Sequence, residues 1–375
     1  MKTILKGGRV LLADGRFVDN CPVLWENDTI LAVGDACAAY TADRTLDATG
    51  YTVIPGMIDA HTHGRAGYDF STATVEQMRE MKKDYARGGV TAVFATLASG
   101  TTEEWNQAIA AIQEVGYEGI HLEGNFLNVK KRGAHPERLL VAPDADVLEG
   151  YLKQIHVPCH ISAAYELDAD GSFAARAVQY GATLALAHTM ATAEEARLAI
   201  SRGVTAFSHL YNAMPALHHR EGGAVCVALL GEGYGELIAD GMHICPDMVA
   251  LAYRCLGTEK AVLITDSMEA TGCPDGEYSI AGQPVLVKDG RAVTLDGALA
   301  GSTLNLWNGV QNLMQFAGAS FGDAVLCATR NPARMLGVED RLGSIAAGMR
   351  ADLLLVNEAQ MEIADVYACG ERVEA

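Results

Sequence analysis

Eight apolar, strand-like runs separated mostly by helical stretches constrain this chain more than any other feature. The runs fall at 53–59, 90–97, 119–122, 157–162, 183–187, 204–207, 236–239 and 261–265. Between the first two, Val75, Met78, Met81, Lys82 and Tyr85 recur at helical spacing until Gly88-Gly89 ends the pattern. Similar helical stretches are expected at 103–115, 172–180, 193–202 and 246–256. Strand–helix alternation at this spacing predicts parallel βα units, and eight of them predict closure into a (β/α)8 barrel of the TIM type, an α/β fold. After the eighth run, 276–299 is expected to form a β-hairpin turning at Asp289-Gly290, followed by helices near 303–316 and 323–336.

The two ends of the chain follow a different pattern. Short β-type runs broken by Asp14-Gly15, Asn27-Asp28 and Gly34-Asp35 fill residues 1–52, and 345–375 is similar. They are expected to pair into one small β-sandwich domain beside a barrel spanning 53–344. The 39 glycines fit a chain with many tight turns.

Composition narrows the function classes. The formal charge is −19, and the longest basic run is Lys130-Lys131-Arg132. Nucleic acid and anionic membranes need dense positive charge, so neither is an expected partner. The nine cysteines contain no Cys-x-x-Cys pair and are odd in number, which argues against a disulfide framework or a thiolate zinc site. Cys159, Cys226 and Cys255 are expected to pack in the core. With no sustained apolar leader and no apolar run of about 18 residues, the protein is expected to be cytoplasmic.

Chemistry on such a barrel sits at the carboxyl ends of the strands. Reading just past each run gives Asp59 with His61 and His63, then Thr96, Glu123, Glu166, His188, His209, Asp240 with His243, and Asp266. Two imidazoles one residue apart point the same way along an extended segment, so His61 and His63 can reach one ion. His188 and His209 lie one βα unit apart, at equivalent heights on neighbouring strands. Glu123 adds a hard oxygen donor, completing the three protein ligands usual for catalytic zinc. Asp266 is placed to act as general base and then acid. His121 sits inside its strand with its neighbours aimed the other way and reads as structural, and His156 and His160 carry no assigned role.

These motifs resemble the amidohydrolase superfamily and, within it, the N-acetylglucosamine-6-phosphate deacetylase family. The resemblance rests on Pro55-Gly56-Met57-Ile58-Asp59-Ala60-His61-Thr62-His63-Gly64, His121-Leu122-Glu123-Gly124 and His209-Leu210-Tyr211-Asn212-Ala213-Met214-Pro215. It continues through His218-His219-Arg220-Glu221, Asp240-Gly241-Met242-His243, Thr265-Asp266 and Ala300-Gly301-Ser302. It implies a catalytic divalent ion, with zinc expected and Fe, Mn or Co possible, on Glu123, His188 and His209. A second ion would use His61 and His63, bridged by Glu123. His135 would polarise the acetamide carbonyl, and Asp266 would serve metal-activated hydroxide attack. Arg220, the backbone of Asn212 and Ala213, and His243 would hold a phosphorylated N-acetyl amino sugar, in a homodimer. The galacto-configured epimer is the nearest alternative. A cyclic-amide hydrolase is further off, because Glu123 stands where that type commonly has a carboxylated lysine. Five positions depart from the family pattern: Asn125 and Gly222 replace prolines, Tyr165 stands in an Ala-Pro-Glu segment, and Ala187 and Thr189 flank His188 where the pattern has Gly-His-Ser.

Overall fold

A computed structural model of the chain describes residues 1–295 and 297–374; positions 296 and 375, within the expected hairpin and carboxyl-terminal β segments, lie outside the described residues. Its centre is an eight-stranded parallel sheet in sequential order: β1 Met57–Thr62, β2 Val90–Leu97, β3 Gly119–Glu123, β4 Cys159–Ala163, β5 Thr183–Leu186, β6 Val204–Phe207, β7 Tyr234–Ile238 and β8 Ala261–Ile264. All eight residues of β2 are buried, as a strand covered on both faces requires. The seam between β1 and β8 is closed by side chains and loop backbone. Asp59 accepts from Thr265 Oγ1 at 2.6 Å, Asp266 N donates to His61 O at 2.8 Å, and His63 N donates to Ser267 O at 2.7 Å.

Helices α1 Val75–Arg87, α2 Thr102–Val115, α3 Ala145–Leu152, α4 Ser172–Gln179, α5 Ala193–Ser201, α6 Gly223–Leu229 and α7 Pro246–Lys260 follow the first seven strands, one each. Thr74, Thr101 and Thr192 cap α1, α2 and α5, each in a reciprocal box with Gln77, Glu104 or Glu195, so local chemistry sets these starts. The sequence pattern does not reveal α6: Gly223-Ala224-Val225-Cys226-Val227-Ala228-Leu229 has no polar face to show a period. Beyond β8 come α8 Leu306–Ala317, α9 Phe321–Ala328 and α10 Arg330–Met335. The single helix expected over 323–336 is broken at Thr329, where the backbone leaves helical angles just before Pro332. The run expected at 53–59 is also divided. Gly56 separates a strand of the terminal sheet from β1, and a Cβ there would collide with Thr91.

Both ends of the chain contribute to the adjoining sheets. Thr52–Pro55 lies between Arg9–Leu11 and Leu353–Asn357 in a six-stranded sheet, and a four-stranded sheet holds Lys2–Lys6. The 276–294 excursion is a three-stranded sheet whose Asp289-Gly290 turn has φ of 52° and 74°, the left-handed pair that hairpins favour. All nine cysteines are free thiols; Cys159 is buried as expected, whereas Cys226 is partly buried and Cys255 is exposed on the outer face of α7. No helix among the described residues is long and apolar enough to cross a membrane.

One buried ion-pair network ties the carboxyl-terminal strands to the barrel. Arg350 donates to Glu118 Oε1 at 2.9 Å, to Asp352 Oδ2 at 2.7 Å and to Thr91 O at 2.9 Å. Removing the guanidinium strands two buried carboxylates. Arg350→Ala is therefore expected to cost about 3–5 kcal/mol in urea unfolding, read as a lower midpoint.

Candidate metal centre and active site

Barrel register brings the strand-end residues to one mouth. His61 lies in β1 and His63 directly follows it; Glu123 ends β3; His188, His209 and Asp266 each lie two residues beyond β5, β6 and β8. The last three have φ of 43°, 31° and 47°, a left-handed backbone that is costly for side chains other than glycine. The same turn is thus imposed at three functional positions, and it swings each side chain inward over the barrel axis.

Glu123 is the hub. Its Oε1 lies 2.9 Å from His209 Nε2 and 3.3 Å from His188 Nε2, while Oε2 lies 3.1 Å from His63 Nε2 and 3.3 Å from His61 Nε2. Asp266 Oδ1 stands 3.2 Å from His63 Nε2 and 3.7 Å from His61 Nε2. Burial works against the charge of Asp266, yet His61 and His63 hold its carboxyl below the ordinary range. It is an anion with only 13% of its side chain exposed.

The hydrogen bonds behind the imidazoles determine which ring nitrogen carries a proton. His188 Nδ1 meets Lys131 O at 2.7 Å and His209 Nδ1 meets Asn212 O at 3.2 Å. A carbonyl can only accept, so both Nδ1 atoms are protonated, and Nε2 is the atom through which each ring can bind an ion. Those two Nε2 atoms face each other at 3.1 Å and also face Glu123. Two ring nitrogens and a carboxylate converging this closely can share a cation, and nitrogen and carboxylate donors are what a zinc-like divalent ion takes. His61 likewise has Nδ1 on Glu236 Oε2 at 3.2 Å, which turns its Nε2 toward Glu123 and Asp266. Two overlapping groups could therefore hold an ion by proximity: His61, His63 and Glu123, and Glu123 with His135 and His188.

His135 differs from the others. Its Nδ1 receives the Ser99 backbone N–H at 3.4 Å, so its neutral ring carries the proton on Nε2 and presents a donor to the pocket. Burial, with His188 beside it, pushes its pKa down to about 3, keeping the ring neutral.

Beneath the cluster lies polar machinery that reading strand ends alone does not find. Glu236, inside β7 and fully buried, meets His61, accepts the His209 N–H at 3.3 Å and lies 3.6 Å from His160 Nε2. His121, expected to be structural, is buried on the same face as Glu123, because residues two apart on a strand point the same way. Its ring packs edge-on against His61 at 4.4 Å and bonds Thr96 and Ser162. An acidic residue inside an apolar strand run was the signal that could have found Glu236. Carboxylates behind metal-binding imidazoles set ring orientation and basicity. Glu236→Gln is expected to weaken ion binding at His61/His63 about 10–100-fold, measured by metal titration of stripped protein.

A pocket of about 380 Å³ opens above the cluster, lined among others by Lys130, Lys131, Asn212, Ala213, His243 and Leu299. Asp240 accepts from His243 Nδ1 at 2.7 Å and so orients that ring. The Asn212 N–H is engaged by His209 O at 2.9 Å. Lys130 and Lys131, the short basic run, bring positive charge to an otherwise acidic molecule. Arg220 is not in the lining; it is exposed, and its guanidinium donates to His219 Nε2 at 2.8 Å. Asn125 has φ of 59°, which proline cannot adopt, so this loop follows a path closed to the proline of the family pattern. Gly222 presses on Cys226, leaving no room for any Cβ. Tyr165 is buried, its ring 6.0 Å from that of Phe173. Thr189 donates to Glu166 Oε2 at 2.6 Å, so the carboxylate beyond β4 braces the loop that carries His188.

The amidohydrolase family profile matches residues 52–373. The chain is 32% identical over 354 residues to an N-acetylglucosamine-6-phosphate deacetylase of Vibrio furnissii, covering 89% of this chain and 88% of that one. It is 30% identical over 387 residues to an N-acetylgalactosamine-6-phosphate deacetylase of Escherichia coli O157:H7, covering 99% of each. A solved N-acetyl-D-glucosamine-6-phosphate deacetylase from Mycobacterium smegmatis, in complex with N-acetyl-D-glucosamine-6-phosphate, superposes with a TM-score of 0.91 at 30% identity over the whole of both chains. With its barrel, its terminal sheets and its histidine–carboxylate cluster, this chain belongs to the amidohydrolase family, alongside the N-acetylglucosamine-6-phosphate deacetylases, and is a hydrolase acting on a linear amide.

Proposed function

We infer that this enzyme removes the acetyl group from N-acetylglucosamine 6-phosphate, giving glucosamine 6-phosphate and acetate. A single observation carries the reading: imidazole lone pairs and Glu123 converge beside an ionised Asp266, under a pocket whose lining includes two lysines. In this reading Glu123, His188 and His209 hold the catalytic divalent ion, and His61 with His63 hold a second that shares Glu123. When bound, such an ion supplies Lewis acidity and lowers the pKa of water; the nitrogen-rich donor set favours zinc.

The chain's own groups do the rest. His135 donates its Nε2–H to the acetamide oxygen, stabilising the charge that develops there. Asp266 takes a proton from the attacking water, whose oxygen adds to the carbonyl carbon. It then delivers that proton to the sugar nitrogen as the carbon–nitrogen bond breaks. Lys130 and Lys131 supply donors for the phosphate, which an acidic protein must meet locally, and His243, held by Asp240, contacts the sugar phosphate from the same pocket.

Arg220 enters this reading through a second subunit or a repositioned 215–222 loop, since one chain keeps it out of the lining; the homodimer is part of the proposal. Arg220→Ala is expected to raise KM for the phosphorylated sugar about ten- to a hundredfold with kcat largely retained.

Acetate release by zinc-loaded enzyme tests the whole reading, using N-acetylglucosamine 6-phosphate, its galacto epimer and unphosphorylated N-acetylglucosamine. Preference for the gluco-configured phosphate is expected. Faster turnover of the epimer would transfer the assignment to it, and equal use of the unphosphorylated sugar would remove the phosphate site.

A further inference from the structure

We propose that Ser99 and Asn125 are positioning residues that lock His135 in its Nε2–H tautomer, so that it serves as a hydrogen-bond donor and not as a metal ligand. The proposal rests on the carbonyl-polarising role given to His135 above, and it adds the device that makes the role possible.

The geometry is a short one-way chain. The Asn125 N–H donates to Ser99 Oγ at 3.0 Å, and Ser99 Oγ lies 2.9 Å from His135 Nδ1. The hydroxyl can accept from Asn125 and still offer its own hydrogen, and it offers it to Nδ1 because the Ser99 backbone N–H already makes that atom an acceptor. The Ser99 backbone N–H adds a second donor to the same atom at 3.4 Å. Two donors on Nδ1 leave the proton on Nε2, which stands 3.7 Å from Glu123 Oε2 beside the pocket.

The loop is built to hold this contact. The Asn125 side chain exchanges two hydrogen bonds with Gly100, accepting from its N–H at 3.2 Å and donating to its carbonyl at 2.9 Å. At Gly124 an added Cβ would sit 2.5 Å from Ser99 N and 2.8 Å from Ser99 Oγ, so the two segments touch only because position 124 has no side chain. Ser99 and Asn125 are 4% and 8% exposed, and neither lines the pocket, so their influence on the reaction runs through His135.

The lock has a second consequence. His135, Glu123 and His188 are close enough together to hold an ion. With the proton on Nδ1 instead, the Nε2 lone pair would join that set and compete for the catalytic ion. Two donors on Nδ1 prevent it.

The test uses zinc-loaded enzyme with 15N-labelled histidine, comparing the parent with Ser99→Ala and with Ser99→Cys, which preserves volume while offering a much weaker donor. In the parent, His135 is expected to show protonated Nε2 and bare Nδ1. Both variants are expected to show mixed tautomers and kcat for acetate release about 10–100-fold lower, with KM little changed and zinc content maintained. A parent spectrum with protonated Nδ1 would overturn the proposal, as would unchanged His135 signals in the variants. A fall in kcat that merely follows loss of zinc, with the tautomer intact, would overturn it too. Were the parent to release no acetate at all, the deacetylase reading would fail, while the 15N spectra would still decide the lock.

Discussion

Asp266→Asn is expected to lower kcat for acetate release by about 10²–10⁴-fold while leaving the ion on Glu123, His188 and His209 in place. Asparagine keeps the size of the side chain and removes its ability to accept and return a proton. In the folded protein the carboxylate is ready to accept one, because His61 and His63 offset the cost of its burial and keep it ionised. It lies close to both histidines, 3.7 Å and 3.2 Å away, but the bonds that orient the His188 and His209 rings do not involve it. Metal analysis beside steady-state kinetics separates the possibilities. Loss of metal in step with activity would make Asp266 chiefly a ligand, and retention of full activity would remove it from the reaction.

Glu123→Gln should have the opposite signature, losing the ions first and activity as a consequence. Glu123 Oε1 faces His188 and His209, and Oε2 faces His61 and His63, so one carboxylate serves both ion positions. Glutamine keeps the shape but leaves four inward-facing imidazoles without their common anion. Breaking a buried charge pair costs about 3–5 kcal/mol, roughly two to three and a half powers of ten in affinity. Calorimetric zinc titration of the stripped variant is the check. Two sites of undiminished affinity would show that the carboxylate is dispensable, and the bridging arrangement would have to be abandoned.

Much of the fold is legible in the order of residues because it depends on short periods. Runs such as Val90-Thr91-Ala92-Val93-Phe94-Ala95-Thr96-Leu97 and the spacing of Met78, Met81 and Tyr85 announce their elements locally. The reading falters where local signals do, as at the wholly apolar helix α6 and at Thr329, where one expected helix becomes two. The candidate site follows the same rule. His61, His63, Glu123, His188, His209 and Asp266 are found by looking just past each strand. Glu236 and His160 escape that search because they lie inside their strands.

Residue order alone therefore determined the alternation of strands and helices and, through it, which side chains stand at the barrel mouth. Tertiary structure alone decided what each of them can do there. Whether an imidazole offers a lone pair or a proton depends on the atom behind it: Lys131 O for His188, Asn212 O for His209, Glu236 for His61 and Ser99 for His135. It likewise brought the Lys130-Lys131 pair into the pocket and kept Arg220 out. Three of those four partners, at His61, His135 and His188, are remote in the chain and become neighbours only when the barrel closes, so no local pattern encodes them.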